Sequence, residues 1–550
     1  MSIVIAGAAG EGIQTIGEAL TRCFLRHGYP VFTYQEYESR IRGGNNSYRL
    51  RVTESPMNAP RLDADILLAL NEKAAAHYRS LIGERGWAIT GHDADDQQIH
   101  VPFRRFAREA GSILYANSVA AGAICAAVGV PLNLLVHVLK DLFGKYGDEV
   151  VGGNTVAARS GYEAAQTALD GRTVSSLPQR EAHFHHAAAH ETIPLAAAAA
   201  GCRFISAYPM SPSTGIITAF ARDPELGVFV EQTEDEIAAI NMAIGASAAG
   251  VRAMTATSGG GFALMVEAIS LAGMIETPIV IVLSQRPGPA TGLPTRTAQE
   301  DLLFALHAGH GEFPKLLLAP SDPQDAIYKT LRAFSLADRY QIPVILLTDQ
   351  FLADSHFTLE GLVIPQVSLA DRFADPRAID EYRRYQLTED GISPRLYFGQ
   401  SEHLVCLDSD EHTQSGHITE DIADVRPQMV EKRLEKGRRL KREIALPEQA
   451  DLEDAETVLI GWGSTRNAIR EAAAKLRKNG DRIGRIHFTE VWPLPDLALP
   501  SGKRYFTVEG NSTGQLAHLL RAEYGLALAG TIGRNDGLPL DAATIVKELS

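Results

Sequence analysis

The sequence predicts an α/β protein built from several doubly wound, parallel-sheet domains. Short, continuously apolar segments such as Ile3–Ala6 and Pro278–Ser284 are typical of strands that are buried on both faces. Helical segments such as Ile13–Arg26 and Glu234–Gly250 separate these strands, and alternating strands and helices form parallel sheets. With 550 residues the chain can form about three or four domains, each with its own core.

The first segment, residues 1–172, alternates strands and helices and predicts a parallel α/β layer. Its predicted strands are Ile3–Ala6, Asp65–Leu70 and Trp87–Thr90. Its predicted helices are Ile13–Arg26, Ser118–Val128 and Leu132–Phe143, with Gly129–Pro131 separating the last two. Residues 173–191 carry four histidines, His183, His185, His186 and His190. A metal site would need further ligands at suitable spacing, so a solvated linker is the favoured interpretation.

The second segment, residues 192–352, predicts a doubly wound sheet. Its predicted strands are Arg203–Ser206, Val228–Glu231, Arg252–Thr255, Pro278–Ser284, Lys315–Ala319 and Pro343–Thr348. Its predicted helices are Glu234–Gly250, Phe262–Met274, Ala298–Leu306 and Pro323–Asp338.

Two further segments complete the chain. Residues 353–450 are charged and irregular and end in a charged helix, Gln428–Ile444, so they predict a long crossover. Residues 451–550 are again α/β. Their predicted strands are Val458–Trp462, Gly484–Phe488 and Tyr505–Glu509, and their predicted helices are Arg466–Lys478 and Gln515–Tyr524.

Composition excludes several functions. A formal net charge of −15 argues against a nucleic-acid partner, because phosphate contacts need clustered Lys and Arg. The Ala-rich run from Ala187 to Gly201 contains charged and proline residues and cannot span a bilayer. The N-terminus has no basic flank, so we expect a first strand, no signal peptide and a cytoplasmic protein.

Cysteine usage predicts that this chain holds no iron–sulfur cluster and no other metal site. The four cysteines are far apart in sequence, whereas cluster ligands usually include a short C-x₂-C spacing. They are Cys23, Cys125, Cys202 and Cys406. Four inert thiols in a reducing compartment are the simplest interpretation.

Three strand-to-helix junctions carry residues suited to chemistry. Tyr208–Thr214 (YPMSPST) presents hydroxyl groups at the carboxyl end of a strand, where α/β sheets bind ligands, although it could equally be a stiff turn with an N-cap. Glu231–Glu236 is acidic, but Thr233 and Glu236 also have the spacing of a capping box. Ser258–Gly261 is glycine-rich and lets a ligand approach the backbone.

A fourth junction, Arg286–Arg296, follows the next strand and is basic. Arginines suit carboxylate binding because their donors are bidentate, and ordinary surface ion pairs are the alternative interpretation.

These motifs resemble the alpha subunit of 2-oxoacid:ferredoxin oxidoreductases with a gamma-type domain fused in front. The family's YPITPST block is similar to Tyr208–Thr214, with Ser211 in place of its threonine. A long block, TEDEIAAINMAIGAS, matches the family at Thr233–Ser247. Further matching blocks are Tyr37–Ser47, Thr257–Met265 (with Gly260 in place of a proline), Gln285–Gln299, Gly461–Ser464 and Val508–Gly514.

The resemblance implies a domain plan. Residues 1–172 would be the gamma-type domain and 173–191 a linker, while 192–352 would bind the pyrimidine half of thiamine diphosphate. Residues 353–450 would be the crossover, and 451–550 a transketolase-C-terminal-like domain. We find no GDG…NN signature for magnesium and diphosphate. The resemblance therefore implies that a beta subunit supplies that half of the site and a 4Fe–4S cluster, in an α2β2 assembly.

The resemblance also implies roles for residues. Glu234 would hydrogen-bond the pyrimidine ring, because a buried carboxyl has a pKa raised toward working pH. The 2-oxoacid carboxylate would bind Ser211 and Arg286, with Thr295 and Arg296 as further candidates. The cofactor-binding residues would be Tyr208, Pro209, Ser258, Gly259 and Gly260, and those for coenzyme A would be Arg42, Gly43, Gly44 and Asn45.

The implied reaction is the coenzyme A-dependent oxidative decarboxylation of a 2-oxoacid with reduction of ferredoxin, or the reverse carboxylation. 2-Oxoglutarate is the favoured substrate, and pyruvate or a branched-chain 2-oxoacid are alternatives. Two other classes stay open. The chain could be a non-catalytic subunit that binds coenzyme A, or part of a non-oxidative thiamine diphosphate enzyme.

Overall fold

The computed structural model describes residues 1–38, 43–91, 98–366 and 373–550. The chain forms two compact units. The first unit comprises Met1–Ala187, Ser355–Leu362 and Asp541–Ala543, and the second comprises Ala188–Asp354, Val363–Leu540 and Thr544–Ser550. Across the described residues, no helix is both long and apolar enough to cross a membrane.

The first unit is an α/β layer around a mixed sheet. Its strands are β1 Ser2–Ala9, β2 Val31–Glu36, β3 Gly43–Val52, β4 Ala64–Ala69, β5 Ile82–Thr90, β6 Gln98–His100 and β7 His185–Ala187. Its helices are α1 Ile13–Arg26, α2 Glu72–Tyr78, α3 Phe103–Glu109, α4 Ala116–Ala127, α5 Leu132–Phe143 and α6 Asp148–Ala168. The predicted bounds of α1 and α5 are confirmed.

The sheet of the first unit has the strand order β2-β3-β1-β4-β5-β6. Strands β1, β4, β5 and β6 run parallel, whereas β3 is antiparallel to both β1 and β2. The expectation of an all-parallel layer is therefore wrong at this edge. Strand β3 does not have the continuously apolar sequence expected of a buried strand, because its buried part, which begins at Asn46, includes the polar residues Ser47 and Arg49.

Helix α6 was not predicted, because its glycines lower helix propensity. Two glycines explain the packing of α6 on α4. A side chain at Gly161 would overlap the carbonyl group of Val119, and one at Gly122 would overlap that of Ala158. The two helices therefore approach each other more closely than helices with side chains at these positions could.

The second unit contains two sheets. Its first strands are β8 Cys202–Ala207, β9 Phe229–Gln232, β10 Arg252–Thr257, β11 Ile279–Gln285, β12 Leu316–Leu318 and β13 Pro343–Asp349. The helices of this part are α7 Ala189–Ala199, α8 Thr214–Arg222, α9 Glu236–Ala248, α10 Gly259–Met274, α11 Leu302–His307, α12 Pro323–Tyr340 and α13 Gln350–Asp354. Strand β14, Phe357–Leu359, belongs to the first unit and pairs antiparallel with β7.

The remaining elements follow a long irregular segment. They are α14 Val425–Lys441, β15 Glu448–Ala450, β16 Thr457–Trp462, α15 Arg466–Lys478, β17 Ile483–Phe488, β18 Glu490–Trp492, β19 Arg504–Glu509, α16 Gln515–Tyr524, β20 Gly530–Gly533 and α17 Ala542–Leu549. They form a sheet with the order β15-β17-β16-β19-β20, while β18 pairs antiparallel with β12.

The central sheet of the second unit has the order β18-β12-β13-β11-β10-β8-β9. Strands β10, β11 and β13 are buried along their whole length, which explains their continuous apolar runs. The chain passes outward from β8 to β9 and then crosses back to β10 on the other side of β8. The strand order therefore reverses between β8 and β10, and such switch points are where open α/β sheets bind ligands.

A buried charge cluster attaches α14 to the central sheet. The carboxylate of Glu276 lies 2.6 Å from Lys432 Nζ and 2.8 Å from Lys436 Nζ, and all three side chains are almost completely buried. Arg384 Nη2 donates to the Glu276 carbonyl oxygen at 2.7 Å. Burial alone would raise the pKa of Glu276, but the charges of Lys436, Lys432 and Arg384 hold it well below its usual range.

We expect Glu276→Gln to destabilise the chain strongly, since it leaves two buried ammonium groups without a counter-charge. Removing one partner of a buried ion pair costs about 3–5 kcal/mol in the free energy of unfolding. The measurement is the urea midpoint of unfolding. Glu435→Gln is the control, because Glu435 pairs with Arg438 and Arg439 at the surface of the same helix. Equal midpoints for the two variants would contradict the structural role of Glu276.

Candidate active site

Four loops meet at the carboxyl ends of the strands around the switch point. They follow β8, β9, β10 and β11, and they contain every predicted catalytic, substrate-binding and thiamine-binding residue. The loop after β8 holds Tyr208, which is exposed, and Pro209 and Ser211, which are half-buried. Ser213 is buried, and its hydroxyl donates to the Met210 carbonyl oxygen at 2.7 Å instead of capping α8.

The structure brings Ser211 and Arg286 together. Arg286 Nη1 donates to the Ser211 carbonyl oxygen at 2.6 Å. Arg286 is half-buried and, among the described residues, forms no ion pair. Burial lowers the pKa of the Arg286 guanidinium and the charge of Asp301 opposes that effect, so the group stays cationic at neutral pH. Its remaining N–H groups can bind an anion such as a carboxylate.

Glu236, and not Glu234, is the buried carboxyl group of the loop after β9. Its residue is 3 % exposed, whereas Glu234 is exposed. Burial raises the pKa of Glu236, and the nearby charge of Asp235 adds to the effect. Within the part of the chain that the structure describes, Glu236 Oε1 has no hydrogen-bond partner. The expectation that burial falls on Glu234 is wrong.

The turn at the start of α9 explains why the buried carboxyl group is Glu236 and not Glu234. Thr233 Oγ1 donates to the Asp235 carbonyl oxygen at 2.8 Å, and the Asp235 side chain accepts from the Ala238 amide at 2.8 Å. Asp235 is thus the N-cap of α9, and the helix begins at Glu236. The predicted capping box of Thr233 with Glu236 does not form. If Asp235 had been assigned as the N-cap, the sequence alone would have predicted that Glu236 points inward.

Glycines in the turn after β10 leave space for two carboxyl groups, those of Glu236 and Asp301. A side chain at Gly261 would overlap the Glu236 carboxyl group and Thr257 Oγ1, and one at Gly259 would come within 2.8 Å of Asp301 Oδ2. Gly260 is exposed, and a side chain there would meet open space apart from the Ala290 carbonyl oxygen at 3.8 Å. The hydroxyl of Ser258 is buried without a partner among the described residues. The turn therefore presents an open face beside Glu236.

Sequence reasoning missed Asp301, which closes the loop after β11. Burial raises its pKa to about 6, and the charge of Glu300 adds to the effect while Arg286 opposes it. Among the described residues Asp301 Oδ2 has no hydrogen-bond partner. The matching block Gln285–Gln299 ends two residues before Asp301, so extending it would have included this residue.

The last segment of the chain holds this loop in place. The side-chain oxygen Oε1 of Gln299 accepts from the Gly510 amide at 3.0 Å, and the backbone carbonyl oxygen of Gln299 accepts from Asn511 Nδ2 at 2.9 Å. Gln515 spans Glu300 and Leu303 through its side-chain amide.

The other two predicted substrate residues, Thr295 and Arg296, are half-buried in the same loop. The stem of Arg296 lies against Gly537, because a side chain there would come within 2.9 Å of Arg296 Cβ.

The first unit contains a separate cavity of about 1200 Å³. Gly43, Gly44 and Asn45 line it, as do the basic residues Arg104 and Arg105. Arg42, the fourth residue expected to bind coenzyme A, lies outside the described residues. Two positive-φ glycines, at 69° and 73°, let the chain turn at the cavity wall.

Comparison with known proteins identifies the family. Residues 195–432 match the model described as "Pyruvate flavodoxin/ferredoxin oxidoreductase, thiamine diP-bdg", and residues 2–164 match "Pyruvate ferredoxin/flavodoxin oxidoreductase". The alpha subunit of 2-oxoacid:ferredoxin oxidoreductase 2 from Aeropyrum pernix is 31 % identical over 98 % of this chain and 96 % of that one. The chain belongs to the 2-oxoacid:ferredoxin oxidoreductase alpha-subunit family. It is therefore a subunit of an oxidoreductase, as its motifs predict.

Other relatives agree with this assignment. The KorA subunit of 2-oxoglutarate synthase from Methanocaldococcus jannaschii is 37 % identical over 54 % of this chain and 80 % of that one. A solved 2-oxoglutarate:ferredoxin oxidoreductase from Magnetococcus marinus, with 2-oxoglutarate, coenzyme A and succinyl-CoA bound, has a TM-score of 0.93 at 31 % identity. That match covers 100 % of this chain and 98 % of the other. The predicted α/β class is confirmed.

The cysteines and histidines form no metal site in the described part of the chain. No group of three or more His, Cys, Asp or Glu residues there is arranged to hold a metal ion. Cys23, Cys125 and Cys202 are buried, and Cys406 is half-buried. His185 and His186 lie in β7, and the His190 ring bonds the Ala353 carbonyl oxygen from the start of α7.

We expect Gly261→Ala to abolish 2-oxoacid-dependent reduction of methyl viologen by the assembled enzyme. The added methyl group would displace the Glu236 carboxyl group, while the helix itself tolerates alanine. Gly152→Ala is the control, since a side chain there meets open space. Wild-type activity in Gly261→Ala, with the same melting temperature, would show that the position of Glu236 does not matter.

Proposed function

We propose that this chain is the alpha subunit of a 2-oxoglutarate:ferredoxin oxidoreductase. The enzyme would convert 2-oxoglutarate and coenzyme A to succinyl-CoA and carbon dioxide while reducing ferredoxin, or run the reverse carboxylation. The observation that carries the proposal is the buried carboxyl group of Glu236 at the switch point of the sheet, whose Oε1 atom has no hydrogen-bond partner among the described residues. The relatives named 2-oxoglutarate synthase support the choice of substrate.

The residues around Glu236 fit the pyrimidine half of thiamine diphosphate. Glu236 Oε1 and Ser258 Oγ are buried without partners among the described residues, and the exposed backbone at Gly260 leaves room for a flat ring. When bound, thiamine diphosphate supplies a nucleophilic carbon for the keto group and accepts the electron pair left by carbon dioxide. Tyr208 and Pro209, from the loop after β8, and Gly259 would complete the wall.

Glu236 takes the catalytic role that the resemblance assigned to Glu234. Its Oε1 would hydrogen-bond a pyrimidine ring nitrogen and share a proton with it. Burial favours the neutral carboxyl and raises its pKa, so Glu236 holds a proton more readily than an exposed carboxylate would. Glu234 is exposed and cannot offer this environment.

Ser211 and Arg286 would bind the 2-oxoacid carboxylate. Their contact places a guanidinium at the carboxyl ends of the strands around the switch point, and a guanidinium binds a carboxylate through two parallel hydrogen bonds. Thr295 and Arg296 remain candidates for the rest of the substrate because the same loop carries them.

A beta subunit would complete the enzyme. The chain lacks a diphosphate-binding signature, so the partner would hold the diphosphate, Mg²⁺ and the 4Fe–4S cluster that passes electrons to ferredoxin. Its docking surface would include Ile237, Met242 and Leu264, which are large apolar residues exposed on α9 and α10 next to Glu236. We propose an α2β2 assembly.

Coenzyme A would bind in the cavity of the first unit. Arg104 and Arg105 offer positive charge for its phosphates, and the backbone of Gly43–Asn45 lines the cavity beside them. Arg42, which lies outside the described residues, stays part of this proposal. We place the enzyme in the cytoplasm, where free thiols such as Cys23 and Cys125 remain reduced.

The substrate is tested with the assembled enzyme and a panel of 2-oxoacids. The chain is co-expressed with its beta subunit, and methyl viologen reduction is followed with coenzyme A present. We expect the highest kcat/KM with 2-oxoglutarate. A higher value with pyruvate or a branched-chain 2-oxoacid would correct the substrate. No reduction with any 2-oxoacid, from a complex that retains thiamine diphosphate and its cluster, would contradict the activity.

Two matched substitutions test the assignment of the catalytic carboxyl group. We expect Glu236→Gln to lower kcat by about 10²–10⁴-fold, the usual contribution of a proton-transferring group, and Glu234→Gln to leave kcat within about threefold of wild type. Both variants should assemble with the beta subunit, as gel filtration can check. The opposite ranking would return the catalytic role to Glu234.

A further inference from the structure

Asp301 is a second carboxyl group of the site, and the proposed reaction does not yet use it. Its Oδ2 atom is buried and has no hydrogen-bond partner among the described residues. A buried acceptor without a partner is unfavourable, and folded proteins rarely retain one without a functional reason. Gly259 faces Asp301 on one side of the glycine turn, and Gly261 faces Glu236 two residues later. The two carboxyl groups thus flank the same turn.

The position of Asp301 is fixed by its neighbours. Its amide donates to Gln285 Oε1 at 3.0 Å, and Gln285 Nε2 in turn donates to the Thr348 carbonyl oxygen at 3.1 Å in the adjacent strand. On the other side, Gln515 Nε2 donates to the Glu300 carbonyl oxygen at 2.6 Å. Several independent bonds therefore hold the backbone that carries Asp301 in place.

The charges around Asp301 are those of the proposed substrate site. Arg286 is close enough for its charge to affect the pKa of Asp301, and its Nη1 bonds Ser211 instead of the aspartate. Glu300 is the other charged group that acts on Asp301. Burial and Glu300 outweigh Arg286, so the pKa of Asp301 is raised to about 6.

We propose that Asp301 binds the 2-oxoacid in its protonated form, donating from Oδ2 to an oxygen of the carboxylate that Arg286 holds. This inference rests on the proposed function, because it takes Arg286 and Ser211 as the substrate carboxylate site. A 2-oxoacid offers only acceptors at its carboxylate and keto groups. An ionised Asp301 would repel it and would compete with it for Arg286, whereas a protonated Asp301 supplies the missing donor.

The proposal predicts how substrate binding depends on pH. The neutral form of Asp301 dominates below its raised pKa and is lost as the pH rises through that value. In the proposal the neutral form is the one that binds substrate, so binding weakens as this form is lost. The KM for 2-oxoglutarate should therefore increase with pH. We expect about a fiftyfold increase from pH 6 to pH 8, since with a pKa of about 6 roughly half of Asp301 is protonated at pH 6 and about one hundredth at pH 8.

Asp301→Asn tests the proposal in the assembled enzyme. Asparagine keeps a donor and cannot titrate, so we expect the KM of this variant for 2-oxoglutarate to change less than about twofold from pH 6 to pH 8. Asp301→Ala removes the donor, so its KM should be about tenfold above that of Asp301→Asn at both pH values. Asparagine should therefore retain the substrate binding, measured as KM, that alanine loses.

Asp349→Asn is the matched control. Asp349 is buried at the end of β13 and its pKa is also raised to about 6, but Ser464 and the Leu352 amide satisfy its oxygens. This variant should lower the melting temperature and keep the wild-type dependence of KM on pH.

Three results would overturn the proposal. One is a wild-type KM that does not change between pH 6 and pH 8, a measurement that needs no variant. The second is Asp301→Asn with the same pH dependence as wild type, and the third is Asp349→Asn with the flat profile expected of Asp301→Asn. By contrast, a wild-type complex that fails to reduce methyl viologen with every 2-oxoacid tested would contradict the proposed function itself.

Discussion

A buried carboxyl oxygen without a hydrogen-bond partner is unfavourable, and the second unit holds Glu236 Oε1 in that state among the described residues. Strands β8 and β10 end on either side of the point where the strand order reverses, which leaves a crevice for ligands. Asp235 starts α9 so that Glu236 turns inward, and Gly261 leaves space for its side chain. A carboxyl group held this way has a raised pKa, which favours its protonated form relative to an exposed carboxyl group.

Two buried glutamates show how environment separates structural from chemical roles. Glu276 is fully buried between Lys432 and Lys436, so its pKa is held well below the usual range and its charge is permanent at neutral pH. Glu236 is also buried but forms no ion pair among the described residues, and burial raises its pKa. The first anchors the charged helix α14 to the sheet, while the second is available for a ligand. Burial alone would not distinguish the roles of these two glutamates, whereas the charged partners of Glu276 do.

The sequence predicts the fold well where periodicity is strong. The bounds of α1, α5, α15 and α16 match those expected, and each predicted strand of the central sheet exists. Strand β3 and helix α6 were missed because polar residues and glycines obscure their patterns, and only tertiary packing stabilises them. Strand β18 could not be assigned to the central sheet, since its pairing with β12 joins residues far apart in the chain.

The candidate site was located by sequence, but its chemistry was not fully resolved. Motif resemblance found the four loops and the pair Ser211 and Arg286, which the structure joins. It placed the buried carboxyl at Glu234, because in an acidic run the residue that turns inward depends on where the helix starts. Asp301 carries no sequence signal of its own, and its importance follows from burial and from the lack of a partner.

The most direct measurement is an experimental structure of the complete complex of this chain, its beta subunit and thiamine diphosphate. The account predicts a hydrogen bond between the Glu236 carboxyl group and a pyrimidine ring nitrogen, with Glu234 outside the contact. A pyrimidine ring that bonds Glu234, or one that lies away from the crevice between β8 and β10, would contradict it.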